Sequence, residues 1–308
     1  MRLRSTGLFS AFLPLLLGPP QGLAAKLQPK TLAAWEKYVR HTEQRVERDL
    51  QQQTAARPST SVEITRLETL DDDGKHVRVP DGMIHHWKGS LLVAGATLEQ
   101  MLKFVQDYNE HHRFFQEVEK SRLVSRELVS GQNDTFRIFY RLKRTKVITV
   151  VYNTEHTVTY RRHGPKRASS RGVSTRIAQL EDPGTASEQE KPVGDDSGFF
   201  WRLNSYWRFE ERDGGVIVEC ESISLSRSIP LGFAWLVKGF VESVPRESLL
   251  NTLDSIRAGL TKPRCGYRPP ACVATGLWPV AFALQTRSGH NRSYEKRSPN
   301  LRLQKQAE

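Results

Sequence analysis

The sequence predicts an α+β fold in which a curved antiparallel β-sheet wraps around one long C-terminal α-helix. Three observations carry that expectation. From Leu123 to Leu225 the chain reads as successive alternating strands separated by turn residues. Ahead of them lie one strand and an amphipathic helix. Behind them, Gly232 to Leu260 keeps Phe233, Val237, Val241, Leu249, Leu253, Ile256 and Leu260 in one helical phase through Pro245, so the stripe describes one kinked helix rather than two. A sheet that curls toward such a helix encloses space between them, and apolar residues line it.

The elements follow in order. Met1-Arg2-Leu3-Arg4 is basic, Leu8 to Leu17 is apolar, and Gly18-Pro19-Pro20 leads to small residues at Ala24 and Ala25. That is the layout of a secretory signal peptide over 1–25. The apolar run is about half the ~20 residues that a membrane span needs. Export to the periplasm or the extracellular space is therefore expected. Residues 26–81 are read as a helix and linker. Leu32, Trp35, Tyr38, Val39, Val46 and Leu50 mark one side of a helix over Thr31–Gln53, and Ala55 to Ser61, with Arg57-Pro58-Ser59, reads as the linker. Val62 to Leu67 alternates as a short strand. Asp71-Asp72-Asp73-Gly74 reads as a turn, because the spaced ligands of a calcium loop are missing.

The patterned domain is placed at 82–261. Leu91-Leu92-Val93 forms its first strand, and Thr97 with Gln100 makes a capping box for a helix striped by Leu98, Met101, Leu102, Val105 and Tyr108. Strands are expected at Leu123–Leu128, Thr135–Leu142, Lys146–Tyr160 and Val173–Leu180. Pro183 to Gly198 reads as a long polar loop. Trp201–Glu210 and Val216–Leu225 flank Asp213-Gly214-Gly215, a hairpin turn. Beyond Lys262 the periodicity ends, and 262–308 reads as a disordered basic tail.

Charge is informative by its location. The formal net charge is +12, and from Lys262 onward nine Lys/Arg oppose two acids. More than half the excess thus lies outside the patterned region, and no basic, aromatic-interleaved recognition element accompanies it, so nucleic acid is not an expected partner. Arg161, Arg162, Lys166, Arg167 and Arg171 cluster around Gly164-Pro165. They form either a solvated hairpin tip or a contact for an anionic membrane surface. Cys220 sits in an alternating strand as a buried thiol. Cys265 and Cys272 are spaced for a small disulfide loop or stand as thiols, and no second pair completes a zinc site.

Alternate residues of a strand share a face. Val150, Tyr152, Thr154, His156, Val158 and Tyr160 form the apolar face of one strand. Phe136, Ile138, Tyr140 and Leu142 do so in the strand before it, and Leu203, Ser205, Trp207 and Phe209 in the hairpin. The candidate ligand-binding residues are therefore Tyr140, Tyr152, His156, Ser205 and Trp207, with Val237 and Val241 from the closing helix. These same side chains would also serve as plain core. His85-His86 and His111-His112 are adjacent pairs whose side chains diverge, so neither chelates a metal alone. No nucleophile elbow, zinc-protease helix or cofactor fingerprint is present, and no cofactor or metal is expected.

The order of strand, helices, antiparallel strands and long final helix resembles the helix-grip layout of the START-like (SRPBCC) superfamily. Its members include lipid-transfer domains, bacterial polyketide cyclases and ubiquinone-chaperone proteins. The stretch Leu203-Asn204-Ser205-Tyr206-Trp207-Arg208-Phe209-Glu210, with Asp213-Gly214-Gly215-Val216-Ile217-Val218-Glu219, is similar to the last hairpin of bacterial members, and so is the Ser228-Ile229-Pro230 exit. The resemblance covers roughly 82–260. It implies a binding or transport protein for a lipid, quinone or polyketide-like molecule rather than an enzyme. The alternatives are a cyclase or hydrolase using His156 and cavity tyrosines, and a non-enzymatic envelope interaction module.

Overall fold

The computed structural model describes residues 25–52, 59–129, 133–145, 149–212, 214–228 and 234–261, with side chains left aside at 129 and 234–242. The elements are β1 (Ala25–Lys26), α1 (Pro29–Gln51), β2 (Glu63–Arg66), β3 (Gly82–Ala94), α2 (Leu98–Val105), a 3-10 turn (His111–Arg113), β4 (Val118–Val129) and β5 (Asn133–Thr145). They continue with β6 (Thr149–Arg162), β7 (Arg167–Glu181), β8 (Gln189–Glu190), β9 (Asp195–Asp196), β10 (Arg202–Arg212), β11 (Gly215–Arg227) and α3 (Ala234–Thr261). The main sheet runs β2-β3-β11-β10-β7-β6-β5-β4, with β8 added to β7 and β1 paired to β9 apart from it. Every pairing is antiparallel. An α+β helix-grip fold is what the sequence predicts, and this is one.

Where strand bounds differ from the sequence reading, pairing explains it. β3 extends back from Leu91 to Gly82 because β11 pairs with it along its whole length, from Gly215↔Ala94 to Arg227↔Gly82. Backbone hydrogen bonds to a long neighbour override the weak alternation of Met83–Lys88. β7 likewise starts at Arg167 rather than Val173, because β6 and β10 both pair with its first residues. Lys146, Lys262 onward, the signal-like residues before Ala25, and Cys265 and Cys272 lie outside the described residues.

The sheet bends where its register slips. Irregularities fall between Val118 and Lys120, between Leu123 and Ser125, and between Glu155 and His156. An extra residue on one strand increases local twist and turns the strand. Two faces result. On the concave face, Leu91, Val93, Phe136, Val158, Phe209, Val218 and Cys220 join Leu98, Met101 and Leu102 of α2 and Leu249, Leu253 and Ile256 of α3 in one core. The capping box of α2 is present, with Gln100 N donating to Thr97 Oγ1 at 3.3 Å and Thr97 N donating to Gln100 Oε1 at 3.0 Å. Leu253 crosses β3 at Gly89, where an added Cβ would stand 2.6 Å from Leu253 Cδ1 and 2.8 Å from Ile64 Cδ1. Glycine is needed there for the close approach of α3.

On the convex face lies α1. Trp35, Tyr38 and Val46 pack against Trp201, Tyr206, Ile223 and Leu225. A buried polar chain joins helix to sheet: Tyr38 Oη to His86 Nδ1 at 2.8 Å, His86 Nε2 to Glu221 Oε1 at 2.8 Å, and Arg45 to the same oxygen. Burial pushes the Glu221 carboxyl up, but His86 and Arg45 outweigh it and hold it below the usual range. Among the described residues, no helix is long and apolar enough to cross a membrane.

Candidate ligand cavity

Between the concave face and α3 lies a cavity of ≈ 360 Å³. That is at the small end of the range for small-molecule sites. β5, β6, β7, β10, β11 and β3 supply its floor, α3 its roof, and the 3-10 turn with Phe115 one end. Of the sequence-predicted residues, Tyr140, Tyr152, His156, Ser205 and Trp207 all line it. The side chains of Val237 and Val241 lie outside the described set. A larger hollow of ≈ 1080 Å³ separates α1 from the convex face, but charged groups such as Arg40, Glu43, Arg171 and Arg202 line it and it opens to solvent. The space beneath α3, with its more apolar lining, is the better candidate site.

Its polar groups fall into three sets. At one end Tyr140, Tyr108 and Tyr160 meet His111. His111 Nδ1 is 2.7 Å from Tyr140 Oη, and the Tyr108 and Tyr160 hydroxyls are 2.9 Å apart. Burial pushes all three phenols up. Burial also lowers His111 to about 4, against the opposing pull of the Phe104 and Val105 carbonyls. Every group at this end is therefore neutral at pH 7.

The floor forms the second set. Register places Ser205 of β10 opposite Ser222 of β11 and opposite Gly172 of β7. One row along, Ser224 stands between Leu203 and His85. An added Cβ at Gly172 would be 2.7 Å from Ser205 Oγ, so the glycine keeps the floor low. His156 rises from β6 and His85 from β3. His156 Nε2 is 2.9 Å from Thr154 Oγ1, and His85 Nε2 is 2.9 Å from Ser226 Oγ. Desolvation lowers both rings to about 4. Tyr152 closes this side with its hydroxyl buried and without a partner.

The third set is a clasp at the rim. Glu117, just before β4, accepts from Arg144, from Ser248 Oγ at 2.6 Å and from Asn251 Nδ2 at 3.3 Å. Arg144 also donates to Glu247 at 2.6 Å. Two strands thus grip the part of α3 that follows Pro245.

Sequence reasoning missed Ser222, Ser224, Glu117 and the inward roles of His85 and His111. His85 was legible in principle, since it alternates with Gly89, Leu91 and Val93 on the core face. Glu117 lies in no periodic segment and gives no such signal. The basic cluster is taken up by acids: Arg161 pairs with Glu47, Arg162 with Glu99 and Arg171 with Glu43.

No family model and no curated protein matches the sequence. Solved structures do. The STAR-related lipid transfer protein (fragment) of Xanthomonas axonopodis is 15% identical, with 67% of this chain and 97% of that one covered, at a TM-score of 0.42. Human StAR-related lipid transfer protein 5 is 12% identical over 72% and 96%, at 0.43. The Zhui aromatase/cyclase from a Streptomyces species is 10% identical over 58% and 94%, at 0.36. Likeness at this level is a similarity of chain path.

Proposed function

We propose that this protein is an exported, non-enzymatic carrier that holds a hydrophobic small molecule in the cavity beneath α3. The observation that carries the reading is the cavity itself. A sheet of this length could bury its concave face directly on α3, yet ≈ 360 Å³ is left open between them. Unfilled apolar space is destabilising, by about 24 cal/mol per Å³ in measured cases. A bound apolar molecule offsets that cost by restoring contacts. The signal-like residues 1–25 support the exported location.

A carrier reading is favoured over a cyclase or hydrolase by the chemistry of His156. Its Nε2 is engaged by Thr154, and among the described residues no carboxylate is bonded to the ring to orient or charge it. Native mass spectrometry of the full chain, followed by solvent extraction, tests the proposal. A co-purifying apolar molecule, released on unfolding, is expected. An empty protein that also fails to take up long-chain alkyl probes overturns it.

A further inference from the structure

Each floor histidine spends its Nε2 on a hydroxyl of the sheet. Thr154 Oγ1 donates its only proton to the Tyr140 carbonyl at 3.3 Å, so it can only accept from His156 Nε2–H. Ser226 Oγ donates to the Arg227 carbonyl at 3.2 Å, so it can only accept from His85 Nε2–H. When both bonds at each hydroxyl are made together, the ring carries its proton on Nε2 and leaves Nδ1 as a lone pair. Neither Nδ1 is bonded to any described residue, and both rings line the cavity.

We propose that the bound molecule is an uncharged, elongated apolar compound with hydroxyl groups toward both ends, which donate to Nδ1 of His85 and Nδ1 of His156. This deepens the carrier reading and rests on it. The two rings sit on β3 and β6, four strand spacings apart, or about 19 Å measured along the curved sheet. Between them Ser205, Ser222 and Ser224 present hydroxyls with no partner among the described residues, able to donate or accept. Charged ends are disfavoured. Among the described residues the cations lining the cavity, Lys143 and Arg144, are already paired with Glu119, Glu117 and Glu247. A carboxylate would meet lone pairs in an apolar space. Burial keeps both imidazoles neutral down to about pH 4, so protonation does not rescue it.

The test compares three twelve-carbon probes on the full chain by calorimetry: the α,ω-diol, its bis-methyl ether and the dicarboxylate. The diol donates, the ether only accepts, and the dicarboxylate is charged. A net hydrogen bond between neutral groups corresponds to about threefold to tenfold in affinity. The diol is expected to bind about tenfold or more tighter than the ether, and the dicarboxylate weakest. His85→Phe and His156→Phe keep a planar ring but remove its nitrogens, and each should weaken the diol by about threefold to tenfold while leaving the ether unchanged. Long-range proton–nitrogen NMR of the unaltered protein should show both rings as the Nε2–H form, with the Nδ1 resonances moving on diol but not ether addition. Equal binding of all three probes overturns the donor assignment and leaves the carrier reading standing. Binding of none overturns the carrier reading itself.

Discussion

Replacing Leu253 by alanine removes the side chain that seats α3 on the sheet. Leu253 is completely buried, and its Cδ1 occupies the space that a side chain at Gly89 would need. Leu→Ala at a closed site costs the lost transfer free energy and a cavity term, about 2–5 kcal/mol together. In a unit of this size that is a fall of about 5–20 °C in Tm. Gly89→Ala alone is the opposite error. It drives a methyl against Leu253 Cδ1 and Ile64 Cδ1 and costs about 1–3 kcal/mol by overpacking. Combined, the two errors compensate, since the new methyl fills part of the hole left by Leu253. The double variant should be more stable than the sum of the singles by about 0.5–3 kcal/mol. Urea denaturation at constant m-value measures all four corners of the cycle. Additive losses would show that Leu253 does not rest on Gly89, and that the position of the cavity roof is misassigned.

Three further outcomes follow from the same geometry. His85, His111 and His156 are buried with pKa values near 4, below the ordinary 6.5; the unfolded chain therefore takes up protons first, and stability should be complete above about pH 6.5 and fall as pH drops toward 4, on the order of 3 kcal/mol per ring. Melts across that range should show a shallower slope for His156→Phe, and an unchanged slope would place the proton uptake elsewhere. Glu117→Gln takes the charge from the rim clasp and should cost about 1–3 kcal/mol and speed probe release, read by stopped-flow fluorescence; a slower release would refute the clasp. Glu221→Ala leaves His86 and Arg45 without their shared carboxylate and should cost about 3–5 kcal/mol, with hydrogen exchange lost first in α1; uniform loss across the sheet would mean that α1 is not the element it secures.

How much of this was legible in the sequence depended on whether a residue lay in a periodic element. The hairpin at Gly214 and the stripe on α3 were readable because burial imposes periods of two and 3.6 on them. The alternation of Tyr152, Thr154 and His156 placed those residues on the inner face for the same reason, and Ser205 and Trp207 followed. The extent of β3 was not readable. Its first half is held by hydrogen bonds to β11, which leave no mark on side-chain pattern. Nor were Ser222 and Ser224 of the floor, because a serine facing a cavity and a serine facing solvent look alike in sequence. Only the register between β10 and β11, which sets Ser205 beside Ser222, separates the two cases.

That distinction bears on why the cavity is open at all. Had residues 205, 222 and 224 been leucine or valine, their side chains would reach toward α3 and fill the space. Small hydroxyls and Gly172 lower the floor instead, while Tyr108, Ile138 and Phe209 build the walls in well-packed core. The hydroxyls carry a second consequence. An unpartnered hydroxyl in a dry interior costs about 1–3 kcal/mol, so a row of them is tolerated only where water or a ligand completes their bonds. The same residues that keep the cavity open thus make it selective, because a purely apolar occupant would leave them unsatisfied. Ser222→Val and Ser224→Val should therefore stabilise the empty protein and weaken the diol together. Stabilisation without loss of diol affinity would show that the floor shapes the cavity but does not recognise its contents.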